Sequence, residues 1–576
     1  MKAYFFVLAL AALPAVAQID LSGEYNGIFN EDQPERIPGP EIGDYLGLPI
    51  TDAARLRGES WDASILTLPE HQCKPHPADY GPRGPAKLRL WPEVDHDTQQ
   101  IVAWHTHIEW QAPERTIWMD GRPHPPEYAA HTWQGFSTGK WEGDVLTVTT
   151  THLKIGWIRR NGIPRSDRAT LVEHWIRHGA HLTLVSIVND PVYLTEPFVR
   201  STDFMETPRQ QIDPYPCESV VEVPRAKGEV PAHLPGANPF LTEFRDRLKL
   251  PANSVRGGAQ TMYPEYRAGF AAAGGDAPKP LRQVDAGDGQ IHVLPVQNDV
   301  YMLVGAGGNI AVQAGKDGVV VVNAGDGKLT DKVLAAVKTI SSKPIRYVVD
   351  TSADASYTGG NEAVAKAGTT ITGGNVASGN ANWPATIVAH ENVTSRMSAM
   401  QGKPGALPAA AWPEDVYFGE QKDMFVNGEP VQLFSQPAAH SDGDSLVFFR
   451  RSDVVVAGDL FSPDRYPAID VANGGGINGV VDALNHILDL TVPAEKQEGG
   501  TYVIPGHGRL CDEADVLEYR DMVTIVRERI QDMIKRGMTL EQVKAAKPTR
   551  DYDPLYGSTA VTPDQFVEAA YRSLKK

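Results

Sequence analysis

Three short strings decide the reading of this chain: Ala439-His440-Ser441-Asp442-Gly443-Asp444, Ala457-Gly458-Asp459-Leu460-Phe461 and Ile504-Pro505-Gly506-His507-Gly508. Each follows or ends a strand-like run and carries Gly or Asp, so each sets a ligand-type side chain on a loop at a strand end. Two imidazoles and a carboxylate suit a borderline-soft divalent ion such as zinc. A single His beside Gly is common on protein surfaces; the information lies in the three together.

Around these strings, apolar runs at 291–295, 300–304, 310–314, 319–322 and 345–349 alternate with helical patterns at 330–340 and 361–367. That alternation predicts mixed α/β layers. Beyond Cys511 the chain reads as helix at 514–535, 539–546 and 562–574. Thr539 with Gln542 and Thr562 with Gln565 form capping boxes.

In order and spacing the strings resemble the metallo-β-lactamase superfamily, from about Gly287 to the C-terminus. Gly308-Asn309-Ile310, Thr358-Gly359-Gly360-Asn361-Glu362, Ala389-His390-Glu391-Asn392-Val393 and Gly474-Gly475-Gly476-Ile477 extend the match. The tail, from Tyr519-Arg520-Asp521-Met522 to Ala545-Ala546-Lys547-Pro548, is similar to a periplasmic hydrolase-like branch of that family. The resemblance implies an αβ/βα sandwich with its metal site at one edge, commonly two zinc ions around a bridging hydroxide.

The resemblance breaks at the ligand-rich segment. Where the family has T-H-x-H-x-D-H-T-G-G-N, this chain has Thr351-Ser352-Ala353-Asp354-Ala355-Ser356-Tyr357-Thr358-Gly359-Gly360-Asn361. Ser352 and Asp354 stand in place of two His, and Ser356 and Tyr357 in place of an Asp and a His. The flanks are intact, so these are substitutions in register. Asn323 likewise follows Val322 where the family places a supporting Asp, a loss expected where first ligands no longer need orienting. The metal centre therefore reads as depleted. His440, Asp459, His507 and the newly placed Asp354 remain to hold at most one divalent ion, such as zinc, or none. Asp354, Asp459 and Tyr357 are the candidate catalytic groups, Tyr357 as a general acid. Ser352 or Ser356 with a His and an Asp would have the composition of a Ser-His-Asp relay, but no nucleophile elbow accompanies them.

Residues 18–225 read as all-β, with alternating runs at 100–110, 116–119, 145–150, 170–176 and 181–188 separated by turns. Most of the eleven Trp residues fall here, and many short aromatic-faced strands predict either a closed antiparallel barrel of lipocalin-like type or a sandwich. On the run Ala103-Trp104-His105-Thr106-His107-Ile108-Glu109-Trp110, alternation puts His105, His107 and Glu109 on one face. That face is either a metal clamp or a solvated strand surface. Strings such as Gly139-Lys140-Trp141-Glu142-Gly143-Asp144 are similar to an uncharacterised exported bacterial β-domain. Pro/Gly-rich residues 226–285 read as a linker with a short helix, 286–515 as the α/β domain and 516–576 as a helical extension.

Lys2, the apolar run 4–13 and Ala15-Val16-Ala17 form a signal peptide over residues 1–17, which predicts export and a mature start at Gln18. Export permits disulfides; Cys73 and Cys217, in two Pro-rich loops of one region, are the expected pair, with Cys511 left over. The balance of 54 Lys+Arg against 72 Asp+Glu leaves a formal charge of −18, which argues against a nucleic-acid partner. No later run approaches 18 apolar residues, so no membrane span is expected in the mature chain. A small-molecule substrate or ligand is the remaining partner. Two functions stay open: a metal-dependent hydrolase of a small ester, amide or thioester, and a catalytically silent binding protein of the cell envelope on the same fold.

Overall fold

The computed structural model describes residues 19–28, 41–83, 87–268, 281–283, 287–370 and 383–575. The expected signal peptide lies outside them.

The N-terminal half is built on nine strands: β1 (Gly23–Ile28), β2 (Leu88–Val94), β3 (Ile101–Ile108), β4 (Glu114–Trp118), β5 (Phe136–Glu142), β6 (Val145–Thr151), β7 (Thr170–His178), β8 (His181–Asn189) and β9 (Phe198–Glu206). They close into a barrel in which β1 pairs with both β2 and β9. The structure therefore selects the barrel over the sandwich. One feature differs from the expected antiparallel closure: β4 and β5 pair in parallel, Ile117 opposite Ser137. Alternate residues point inward, as the pleat requires. Tyr25, Leu88, Leu90, Trp104, Ile117, Leu146, Val148, Trp175, Leu182, Leu184 and Phe204 fill the interior as one apolar cluster. Inside it Arg115 donates to Glu173, Ser137 and Thr150, so this buried charge is paired. Cys73 and Cys217 form a disulfide.

The C-terminal half is two sheets face to face. The first runs in sequence order: β10 (His292–Gln297), β11 (Val300–Val304), β12 (Ile310–Ala314), β13 (Val319–Val322), β14 (Ile345–Val349), β15 (Thr386–His390) and β16 (Asp415–Tyr417). The second is β17 (Gln421–Val426), β18 (Glu429–Gln436), β19 (Asp444–Phe449), β20 (Val454–Gly458), β21 (Tyr502–Pro505) and β22 (Cys511–Asp512). Between the sheets lie Met302, Val320, Val322, Val349, Val431, Leu433, Val447, Val456 and Ile504. The outer face of the first sheet is covered by the helix Thr330–Ile340 through Val333 and Val337. That explains why Val319–Val322 is apolar at every position: both of its faces are buried. Helices Ile477–Leu490, Glu513–Lys535 and Pro563–Leu574 cover the second sheet, and both expected capping boxes are formed.

The two halves share a core. Tyr45, Leu48, Leu171, Val188 and Tyr193 from the barrel side join Leu484, Val516, Tyr519, Val523 and Tyr552 in one cluster. The stretch read as a linker is strapped to the barrel side: His233 N donates to Ser60 O, Asn238 Nδ2 to Glu59 O and Tyr45 N to Val255 O. Among the described residues no helix is long and apolar enough to cross a membrane.

Candidate metal centre

The site lies where strands of both sheets end. β14 runs into Asp350 and the substituted loop, β18 precedes Ala439–His440, β20 ends one residue before Asp459 and β21 two before His507. Glycine at 458 adopts φ +54°, a left-handed turn that any side chain would obstruct, since a Cβ there would meet Thr351 Oγ1 at 2.5 Å.

Asp354, His440 and Asp459 converge, each offering a donor atom within 4.8 Å of the others. His440 Nε2 is 3.6 Å from Asp354 Oδ2, while its Nδ1 lies 3.1 Å from Asp444 Oδ1. Asp444 is itself held by Ser441, whose N and Oγ donate to it at 2.5 and 2.8 Å. A carboxylate on the far ring nitrogen is the arrangement that orients a metal-binding imidazole. Burial works against a charged His440, but Asp444, Asp459 and Asp354 around it push its pKa up to about 10. Burial, helped by Asp459, raises Asp354.

These residues fit a divalent ion. Tetrahedral donors about 2.1 Å from zinc stand roughly 3.4 Å apart, close to the His440–Asp354 separation. The set is one imidazole and two carboxylates, with a carboxylate behind the imidazole.

The other expected site residues are placed differently. His507 stands apart from the three, with Nε2 3.9 Å from Asp459 Oδ1. Burial, then the charge of Arg465, lowers its pKa. The four expected ligands are thus three together and one beside them, because Asp459 lies between the two His-bearing loops. Tyr357 is fully buried, and its hydroxyl donates to Asp459 Oδ1 at 2.6 Å. Burial and Asp459 raise its pKa well above the ordinary value. In this arrangement the Tyr357 hydroxyl proton is directed at Asp459. Glycines make room for the ring: a Cβ at Gly308 would lie 2.8 Å from Cε1 and one at Gly506 2.4 Å from the hydroxyl oxygen.

Ser352 Oγ accepts from Asp354 N at 3.2 Å, and among the described residues no serine of this loop hydrogen-bonds a histidine, so the Ser-His-Asp composition forms no relay. Asn323 corrects another expectation. Its side-chain oxygen accepts from Thr351 N and Oγ1 at 3.0 and 2.9 Å, so support for the loop persists without the charge. The strand pair His105 and His107 is not a clamp. His105 binds Glu93 at 2.9 Å, His107 lies 3.5 Å from Glu114, and Glu109, past the strand end, binds Lys87 at 2.7 Å. The three side chains face three different partners and converge on no common point, although His107 Nδ1 is buried without a hydrogen bond.

Asp444 and Arg465 are the residues that sequence reasoning passed over. Asp444 sits in the same string as His440, four residues on, and that spacing was its signal. Arg465 forks onto Asp464 at 2.8 and 3.1 Å beside His507, and no motif marks it.

The two facing sheets with helices outside, and the loop ends that gather His440, Asp354 and Asp459, define the class as an αβ/βα sandwich with a candidate metal site at one edge, the architecture that the sequence resemblance implied. Among solved structures, the chain is similar to the sec-alkylsulfatase Pisa1 from Pseudomonas sp., at 14% identity and a TM-score of 0.37 over 49% of this chain and 50% of that one. It is similar also to a metallo-β-lactamase from Pontibacter korlensis, at 17% identity and a TM-score of 0.30 over 41% of this chain and 99% of that one. The chain spans about half the length of the alkylsulfatase structure. No protein-family model matches the sequence, and no curated protein matches it.

Proposed function

We propose that the chain is an exported, hydrolase-like protein with a depleted centre that holds one divalent ion, zinc or a similar metal, and acts on a small ester, amide or thioester. The observation that carries the reading is the convergence of Asp354, His440 and Asp459, the one such group among the described residues. These three would hold the ion, and His507 beside Asp459 would complete the set. What an ion supplies when bound is a water of lowered pKa and polarisation of a carbonyl. The protein's part is orientation: Asp444 aims His440, and the Tyr357 hydroxyl pins one oxygen of Asp459. The same contact favours a second reading, a catalytically silent binding protein of the cell envelope, because Tyr357 already occupies a lone pair that a second ion would use.

Metal content per chain, measured on protein purified without chelator or added zinc, tests the proposal together with turnover of ester probes. One ion, with slow turnover lost in His440→Ala, is the expected result. Two tightly held ions would overturn the depleted centre. One ion without turnover on any probe class would leave the silent reading.

A further inference from the structure

His507 lies between two glycines, and Gly508 takes φ +90°, where a backbone without a Cβ is held least by its own sterics. Asn309 holds this loop on both sides of His507, its N donating to Gly506 O at 2.8 Å and its Nδ2 to Pro505 O and Gly508 O at 3.0 and 3.1 Å. The hold on Arg509, two residues past His507, adds the constraint on the far side of Gly508. Arg509 is 8% exposed, and its buried guanidinium requires counter-charge. One comes from its own half: Asp515 accepts from Nη2 at 2.8 Å and Nη1 at 3.1 Å. The other comes from the barrel half: Asp167 accepts from Nη2 at 3.1 Å and more weakly from Nε at 3.4 Å. Asp167 sits on a turn that cannot yield easily. Ser166 N and Oγ donate to Asp190 at 2.7 Å each, and Arg168 Nη2 donates to Leu555 O at 2.7 Å. A second strap lies alongside, Lys154 of the barrel half on Asp512 and Asp515 at 2.7 and 3.2 Å. Leu510 N also donates to Tyr128 O at 2.9 Å.

We propose that Asp167 is a positioning residue of the metal centre: acting through Arg509, it fixes the loop that carries His507, so the barrel half supplies part of the site. The proposal rests on the reading of His507 as the residue completing the ligand set. Asp167→Asn keeps the shape and removes the charge. The guanidinium would then draw toward Asp515, and the loop would shift about Gly508 as far as the Asn309 Nδ2 bond to Gly508 O allows.

Two readouts on the full-length protein test it. Zinc affinity, by competition with a chromophoric chelator, should fall about tenfold in Asp167→Asn, in the range for residues that orient ligands. Asp167→Glu should recover most of it, and Asp167→Asn should add nothing in a His507→Ala background. In metal-free protein with labelled histidine, Asp167→Asn should move the His507 ring resonance and leave that of His440 in place. Should Asp167→Asn not fold, Arg509→Lys, which keeps the charge and loses the fork, carries both readouts. An equal loss of zinc affinity in the His507→Ala background, or an unmoved His507 resonance, would overturn the proposal. If the unaltered chain takes up no zinc, the proposed function fails by itself, and the resonance still decides this inference.

Discussion

Replacing Tyr357 with Phe removes one oxygen from a fully buried ring and nothing else. The ring carbons keep their bed against Gly308, and only the oxygen's contact at Gly506 is lost. The group lost is a 2.6 Å hydrogen bond to the Asp459 carboxylate. A bond from a neutral donor to an ionised acceptor contributes about 1.5–3 kcal/mol net. Asp459 keeps some solvent access, with 12% of its side chain exposed, so water can partly replace the phenol. The lower half of that range, about 1.5–2 kcal/mol of lost stability, is the expected cost in metal-free protein. Urea unfolding, compared at equal slope so that only the midpoint reports, measures it. In an Asp459→Asn background the acceptor charge is already gone, and the same replacement should cost about 1 kcal/mol less. A Tyr357→Phe protein as stable as the parent, or an equal cost in both backgrounds, would refute the claim that the tyrosine is held in place by Asp459.

Three further outcomes are expected. Ser352→His, Asp354→His, Ser356→Asp and Tyr357→His introduced together should raise bound zinc toward two per chain, read by metal analysis; no increase would mean the scaffold itself has changed. Gly506→Ala should place a Cβ 2.4 Å from the Tyr357 oxygen and 2.6 Å from Gly458 O, and so cost about 2 kcal/mol or more of stability in urea, as overpacking does. His71, 2.8 Å from Asp521 across the two halves, has its pKa lowered by burial but raised on balance by Asp521. Because the folded value is raised, its stabilisation is complete below about pH 6.5 and is lost as pH climbs through the folded value. His71→Gln should therefore destabilise clearly at about pH 6 and little at about pH 9.

Local signals carried much of the C-terminal half. Strands Val300–Val304, Ile310–Ala314 and Val319–Val322 and the helix Thr330–Ile340 have the bounds their apolar patterns predict, because their edges are chemical: Asp299 and Gly305, Asn309 and Gly315, Gly318 and Asn323 flank the strands, and Ser341 follows the helix. The choice between barrel and sandwich was not legible, since closure depends on β1 meeting β9 across most of that half, and nothing local to either strand encodes the partner. On β3 the alternation placed His105 and His107 on the outer face correctly, but Glu109 falls past the last strand residue. At the site, loop order named the residues without their distances. Whether His507 joins Asp354 and His440 depends on side-chain reach across Asp459, and at Asn323 an amide oxygen takes the place of a lost carboxylate. The Asp167–Arg509 contact joins residues 342 apart, beyond any pattern in a single sequence.

A ring of strands has a parity. When neighbours alternate direction all the way round, only an even number can close; nine cannot, and one adjacent pair must run the same way. That pair is β4 and β5. Strands running the same way cannot be joined by a tight hairpin, since the chain must travel back along the barrel before the second begins. The odd count therefore obliges a long connection over residues 119–135, and this segment reaches the other half: Tyr128 O accepts from Leu510 N, and Trp133 Nε1 donates to Glu495 at 2.7 Å. An even-stranded barrel could dispense with that connection, and with it this hold on the stretch just beyond His507.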